Sequence, residues 1–140
     1  MLRVLLLILL ALHGSIHLMG FLKAIHPGSI APIKQSISSQ EGVFWLIAAI
    51  LFLAAGTLFL LHKNFWWVVA LAAGVLSQYL IILFWNDARF GTIANILIFI
   101  AIVVGIAQWK FEGTYRHDIH ALQQKKINTE VLTEDDLKLL

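Results

Sequence analysis

Four apolar runs, each long enough to cross a bilayer, constrain this chain more than any other feature. Bilayer hydrocarbon is about 30 Å thick and a helix rises 1.5 Å per residue, so about 20 apolar residues make a crossing. Residues 4–22, 43–61, 65–85 and 92–109 meet that length, with Phe90 able to extend the last. In lipid the backbone must satisfy its own hydrogen bonds, so each run is expected to be a helix. Only His62-Lys63-Asn64 separate the second run from the third, which makes them an antiparallel hairpin. Trp45, Trp66, Trp67, Trp85 and Trp109 stand at the ends of the runs, where indole rings favour the membrane–water boundary. The expected fold is all-α: an integral membrane four-helix bundle over 1–110, followed by a polar tail over 111–140.

Composition narrows the function classes. The chain is 60% hydrophobic and 13% charged, where a soluble domain carries about 25% charge. A formal net charge of +2 gives no footing for nucleic-acid binding. With no cysteine there is no disulfide and no thiolate metal site.

Orientation follows from the cations beside the spans. With the N-terminus inside, Arg3, Lys63, Lys110, Arg116, Lys125 and Lys126 are cytoplasmic, against Lys23, Lys34 and Arg89 outside. Six against three predicts N-in and C-in, as a multi-pass protein of the cell (inner) membrane. Arg3 and the apolar stretch after it also fit the start of a signal peptide, but no A-x-A cleavage site follows. Ser38-Ser39-Gln40-Glu41 is a capping box for the second helix. Pro27-Gly28 reads as the turn that ends the first. Ile30, Ile33 and Ile37 recur at helical spacing, which fits a short amphipathic helix on the outer face or an ordered loop over the bundle. Ala70 with Gly74, Ala101 with Gly105, and Ala54-Ala55-Gly56 are small residues of the kind that let helices approach closely in lipid.

Polar side chains within the spans carry the functional signal, because each is costly in hydrocarbon. His13 and His17 lie one turn apart on one face of the first helix. Ser77 and Gln78 sit just past the middle of the third, and Asn95 is one turn into the fourth. Helical rise places His17 and Gln78 at nearly the same depth in the outer half of the bundle. Asp87 and Arg89 would roof that half. The candidate polar pocket is therefore His13, His17, Ser77, Gln78, Asp87, Arg89 and Asn95. Three readings stand beside one another: interhelical hydrogen bonding, a ligand pocket, and a metal or haem site on His13 and His17. No catalytic set is evident. No cofactor is called for, and haem, quinone or metal each stay open.

In the tail, Tyr115, Ile119 and Leu122 predict a juxtamembrane amphipathic helix, with Lys125 and Lys126 toward anionic headgroups. Asn128-Thr129 breaks the pattern, and Thr133-Glu134-Asp135-Asp136 repeats a helix start. A helix start with so little behind it suggests the beginning of a soluble domain; a frayed C-terminus is the other reading.

The stretch from His13 to Phe21, Leu76-Ser77-Gln78, the stretch from Trp85 to Asn95, and Leu132 to Leu137 resemble the N-terminal membrane region of a group of uncharacterised bacterial proteins. In those, a four-helix membrane segment precedes a soluble domain. In layout the chain also resembles the DoxX-like small membrane proteins. The first resemblance implies a membrane anchor or regulatory module for a cytoplasmic part. A small-molecule or lipid binding or transport module, and an oxidoreductase subunit of the DoxX-like kind, are the alternatives. Partners expected are the lipid bilayer, a second copy of the chain, or a following soluble domain.

Overall fold

The computed structural model describes all residues except 27, 29–32, 139 and 140, and the side chains up to residue 128. It contains α1 (Leu2–Ile25), α2 (Ser39–Leu60), α3 (Trp66–Leu83), the short α4 (Trp85–Ala88) and α5 (Gly91–Lys138), with no strand among the described residues. Four of these helices are long and apolar enough to cross a membrane. The chain divides into two compact units, Met1–Gly105 and Ile106–Leu140.

In the first unit, the surface is as oily as the interior. Ile8, Leu12, Val43, Ile47, Ile50, Val75, Ile82, Ile96, Ile100 and Val103 are exposed, while His13, His17, Ser77 and Asn95 are buried. A water-soluble domain does not leave so continuous an apolar surface uncovered. The inversion is what a bundle surrounded by hydrocarbon requires, since polar groups there must find partners inside.

Glycines set how closely the helices approach. A Cβ at Gly14 would meet the Phe52 Cβ at 3.0 Å, and one at Gly20 would fall inside the Trp45 indole. A Cβ at Gly42 would collide with Ala24, so the α1–α2 contact depends on glycine along its length. A Cβ at Gly74 would meet the Phe99 ring at 3.0 Å and one at Gly105 the Trp66 ring at 2.8 Å, so α5 seats closely on α3. This packing revises the tryptophan reading. Trp85 and Trp109 are half exposed, but Trp45 and Trp66 are buried and face inward.

Capping agrees with the sequence at α2. Ser38 Oγ accepts from the Glu41 N–H, and the Ser38 N–H donates to Glu41 Oε2 at 2.7 Å. At the far end of α2, His62 takes a left-handed conformation (φ 57°) that lets the chain reverse into α3. The Arg3 guanidinium donates to His62 Nδ1 at 2.9 Å, joining the start of α1 to this turn. At the opposite end of the unit, Asp87 Oδ2 accepts from the backbone N–H groups of Lys34 and Gln35 at 2.9 and 2.8 Å.

Several local expectations change. Residues 33–38 are not helical, so the loop reading of Ile33 and Ile37 replaces the amphipathic helix; Ile30 and the Pro27 half of the turn lie outside the described residues. The reason is visible at Asp87, whose carboxylate takes the N–H groups of Lys34 and Gln35. Ile37 drops its side chain among Trp45, Ala48, Leu80 and Phe84. The link from the third span to the fourth contains a single turn, α4. In the second unit the helix continues through Asn128-Thr129 and through residues 133–136, so neither a break nor a new helix start occurs there. The side chains of Thr133 to Asp136 lie outside the described ones. Tyr115 and Leu122 are exposed on this helix.

Candidate functional site

The buried polar residues of α1, α3 and α5 converge on one hydroxyl. Ser77 is fully buried, and its Oγ lies 2.9 Å from His17 Nε2, 3.1 Å from His13 Nε2 and 3.0 Å from Asn95 Nδ2. His13 and His17 reach it together because residues four apart share a helix face. Asn95 Oδ1 lies 3.0 Å from His13 Nε2, and Asn95 Nδ2 donates to Gln78 Oε1 at 3.1 Å. Gln78 Nε2 in turn points to Thr92 Oγ1 at 3.5 Å.

Donor and acceptor chemistry fixes the proton position of His13. A carbonyl oxygen only accepts, so Asn95 Oδ1 requires the proton of His13 on Nε2. Asn95 uses its two N–H groups on Gln78 and Ser77. The Ser77 O–H has two acceptors in reach, Asn95 Oδ1 at 3.1 Å and His17 Nε2 at 2.9 Å, and the two choices set opposite tautomers of His17. His17 Nδ1 is buried without a partner.

Aromatic rings enclose the histidines. His17 stacks on Phe52 (18° between planes, 5.6 Å between centroids) and lies 5.0 Å from the Trp45 ring. His13 meets Phe52 edge-on at 4.9 Å. The Trp45 Nε1–H is also buried without a partner. Gly91 closes the opposite side: a Cβ there would meet Ile81 at 2.9 Å and His13 Cε1 at 3.6 Å.

Against this cluster lies a cavity of about 310 Å3, with His13, His17, Trp45, Ile81, Phe84 and Ala94 in its wall. That is the lower end of the range for small-molecule sites, which are mostly apolar with a few placed polar groups. Ile16 and Phe90 also line it and are exposed on the outer surface of the bundle. Asp87 and Ile33 close the end nearest the 33–38 loop.

Of the residues singled out from sequence, His13, His17, Ser77, Gln78 and Asn95 form one hydrogen-bonded set. Asp87 borders the cavity but serves the loop. Arg89 is exposed, with its guanidinium over the Phe90 ring at 5.1 Å, and does not line the cavity. Thr92, Phe52 and Trp45 were not anticipated. For Trp45 a signal existed in Gly20, the residue whose missing side chain makes room for its indole. Among the described residues, no group of three or more His, Asp or Glu side chains is placed to hold a metal ion. No protein family, curated protein or solved structure matches the chain.

Proposed function

We propose that this chain is a four-span protein of the cell (inner) membrane, with its N-terminus and the α2–α3 turn on the cytoplasmic side. We further propose that its bundle binds a small, largely apolar molecule in the cavity beside His13 and His17. The cation count across the spans supports the orientation. The observation that carries the binding reading is a cavity of about 310 Å3 with two buried histidines, His13 and His17, in an otherwise mostly apolar wall. Hydrogen bonding between helices alone accounts for Ser77, Asn95 and Gln78. It does not account for empty space beside the two histidines, which close helix packing in lipid would fill.

The test is a thermal-shift screen of small apolar compounds against the purified wild type and Ala94→Phe, which fills the cavity from α5. A ligand that binds only the folded state raises the melting temperature with concentration. At least one compound class is expected to do so for the wild type and not for the variant. Shifts that are equal in both, or absent in both, overturn the binding reading.

A second reading makes the bundle an anchor for a soluble part. It is favoured by α5, whose 48 residues are more than a crossing needs and whose residues 111–128 are almost all exposed. Pull-down with the isolated 111–140 peptide, compared with the full chain, tests it; a peptide and chain that capture nothing in common count against an anchoring role.

A further inference from the structure

A polar recess beside the apolar cavity narrows the ligand class, an inference that rests on the cavity being a binding site. We propose that recess and cavity together take the head and one chain of a phosphoethanolamine lipid. The chain lies in the cavity beside His13 and His17, the phosphate meets Lys34, and the primary ammonium meets Asp87.

Three observations converge. First, the recess and the cavity share a wall. The recess, of about 440 Å3, is lined by Lys34, Gln35, Asn86 and Asp87. Asp87 also lines the apolar cavity, together with Ile33, the sequence neighbour of Lys34. These residues stand where the spans end: Ile33 and Lys34 lie between α1 and α2, and Asn86 and Asp87 lie between α3 and α5. A polar recess at the span ends with an apolar cavity beside it is the layout an amphiphile needs at the boundary between headgroups and hydrocarbon.

Second, the recess carries one charge of each sign. Lys34 is exposed and brings an ammonium on a flexible stem. Asp87 brings a carboxylate, whose Oδ2 accepts from the Lys34 and Gln35 N–H groups. An ionised carboxylate has about four acceptor sites, so two such bonds leave it able to take an ammonium. A head of one sign meets one attraction and one repulsion there, whereas a zwitterion meets two attractions. A quaternary ammonium has no N–H to donate and favours aromatic faces, and among the described residues no ring lines the recess. A primary ammonium, with three N–H groups, suits Asp87 and the Asn86 amide oxygen better.

Third, the cavity suits a chain. Trp45, Ile81, Phe84 and Ala94 give it an apolar wall. The two histidines do little to make that wall polar, because Nε2 of each is within 3.1 Å of Ser77 Oγ. A volume of about 310 Å3 holds part of one chain. Ile16 and Phe90 line the cavity and are exposed on the apolar outer surface, where the rest of the lipid has hydrocarbon beside it.

The probes are lauroyl lysophosphatidylethanolamine, its phosphocholine and phosphoglycerol counterparts, and O-phosphoethanolamine, which has the head and no chain. Melting-temperature titration of the full chain in maltoside micelles gives an apparent affinity for each. The variants are Lys34→Gln, which removes the ammonium and keeps the backbone N–H that Asp87 holds, and Ala94→Phe, which fills the cavity. The wild type is expected to bind the phosphoethanolamine lipid roughly fivefold tighter than its two counterparts, the upper end for ion pairs open to water. Lys34→Gln is expected to weaken that lipid roughly fivefold, Ala94→Phe to abolish its binding, and O-phosphoethanolamine alone to produce no shift. Equal affinity for the three lipids, or an unchanged affinity in Lys34→Gln, overturns the proposal and leaves the cavity standing as a site so long as Ala94→Phe still abolishes binding. A shift from O-phosphoethanolamine that matches the lipid's overturns it as well. Lipid shifts that are the same in the wild type and Ala94→Phe overturn it too, and the screen of apolar compounds then decides whether the cavity reading falls with it. If Ala94→Phe does not fold, the wild type alone decides with a phosphoethanolamine lipid that carries a photoreactive diazirine at the chain end. Crosslinks to Trp45, Ile81 or Phe84, which are buried and border the cavity, are expected, and crosslinks confined to residues on the outer surface overturn the proposal.

Discussion

Asn95→Leu removes a fully buried amide that joins α5 to both α1 and α3 and replaces it with an apolar side chain of similar size. Three partners lose their bond: His13 Nε2–H, Ser77 Oγ and Gln78 Oε1. Interhelical hydrogen bonds within membranes contribute about 0.6 kcal/mol on average and up to about 1.7. Three of them give a loss of about 2 kcal/mol, rising toward about 5 if all are at the strong end. The lower half of that range is the better expectation, because His13 Nε2–H keeps Ser77 Oγ within reach at 3.1 Å. Ser77→Ala strikes the same set from α3, so the two changes should not add. A coupling of about 0.5–3 kcal/mol is expected, with the double variant less impaired than the sum of the single ones. Reversible unfolding in mixed detergent micelles, followed by tryptophan fluorescence, gives the needed free energies. A loss below about 0.5 kcal/mol for Asn95→Leu, or strict additivity with Ser77→Ala, would refute the hydrogen-bonded set as drawn.

Other outcomes follow from the same geometry. Gly20→Ala drives a methyl into the Trp45 indole and should cost about 1–3 kcal/mol in the same unfolding assay, whereas Gly28→Ala, with open space around it, should change stability by less than about 0.5. Asp87→Asn replaces the charged acceptor of two backbone N–H groups and should speed hydrogen exchange at Lys34 and Gln35 without altering exchange in α2; unchanged exchange at both positions would contradict the latch. The absence of native cysteine allows single-cysteine mapping of topology: Lys63→Cys should react with an impermeant maleimide only from the cytoplasmic side and Asn86→Cys only from the outside, and the reverse pattern would invert the orientation.

Much of the helical plan is legible in the sequence because lipid leaves the backbone few choices. An apolar run of sufficient length must become a helix, and Ser38 with Glu41 marks where one starts. The inward polar set is legible for the same reason: His13, His17, Ser77, Gln78 and Asn95 stand out against hydrocarbon. Helical rise gives their depth but not their direction around the axis. That is why Gln78 appeared opposite His17, while the structure puts Ser77 there and turns Gln78 toward Asn95 and Thr92. Arg89 was drawn into the site by its nearness in sequence, but its side chain lies over Phe90. Trp45 was hidden by its own chemistry. An indole at the end of a span satisfies the interfacial rule whether it faces water or the core, and only the glycine on the neighbouring helix distinguishes the two. The loop at 33–38 has helical spacing, yet its N–H groups are taken by a carboxylate some fifty positions away, a contact no local pattern announces.

Native mass spectrometry of the wild type released directly from its membrane, beside Ala94→Phe prepared in the same way, is the most decisive measurement. A single small molecule retained per wild-type chain and missing from the variant is the expected result. Bare wild-type protein, or the same adduct on both chains, would contradict a ligand site in the cavity beside His13 and His17.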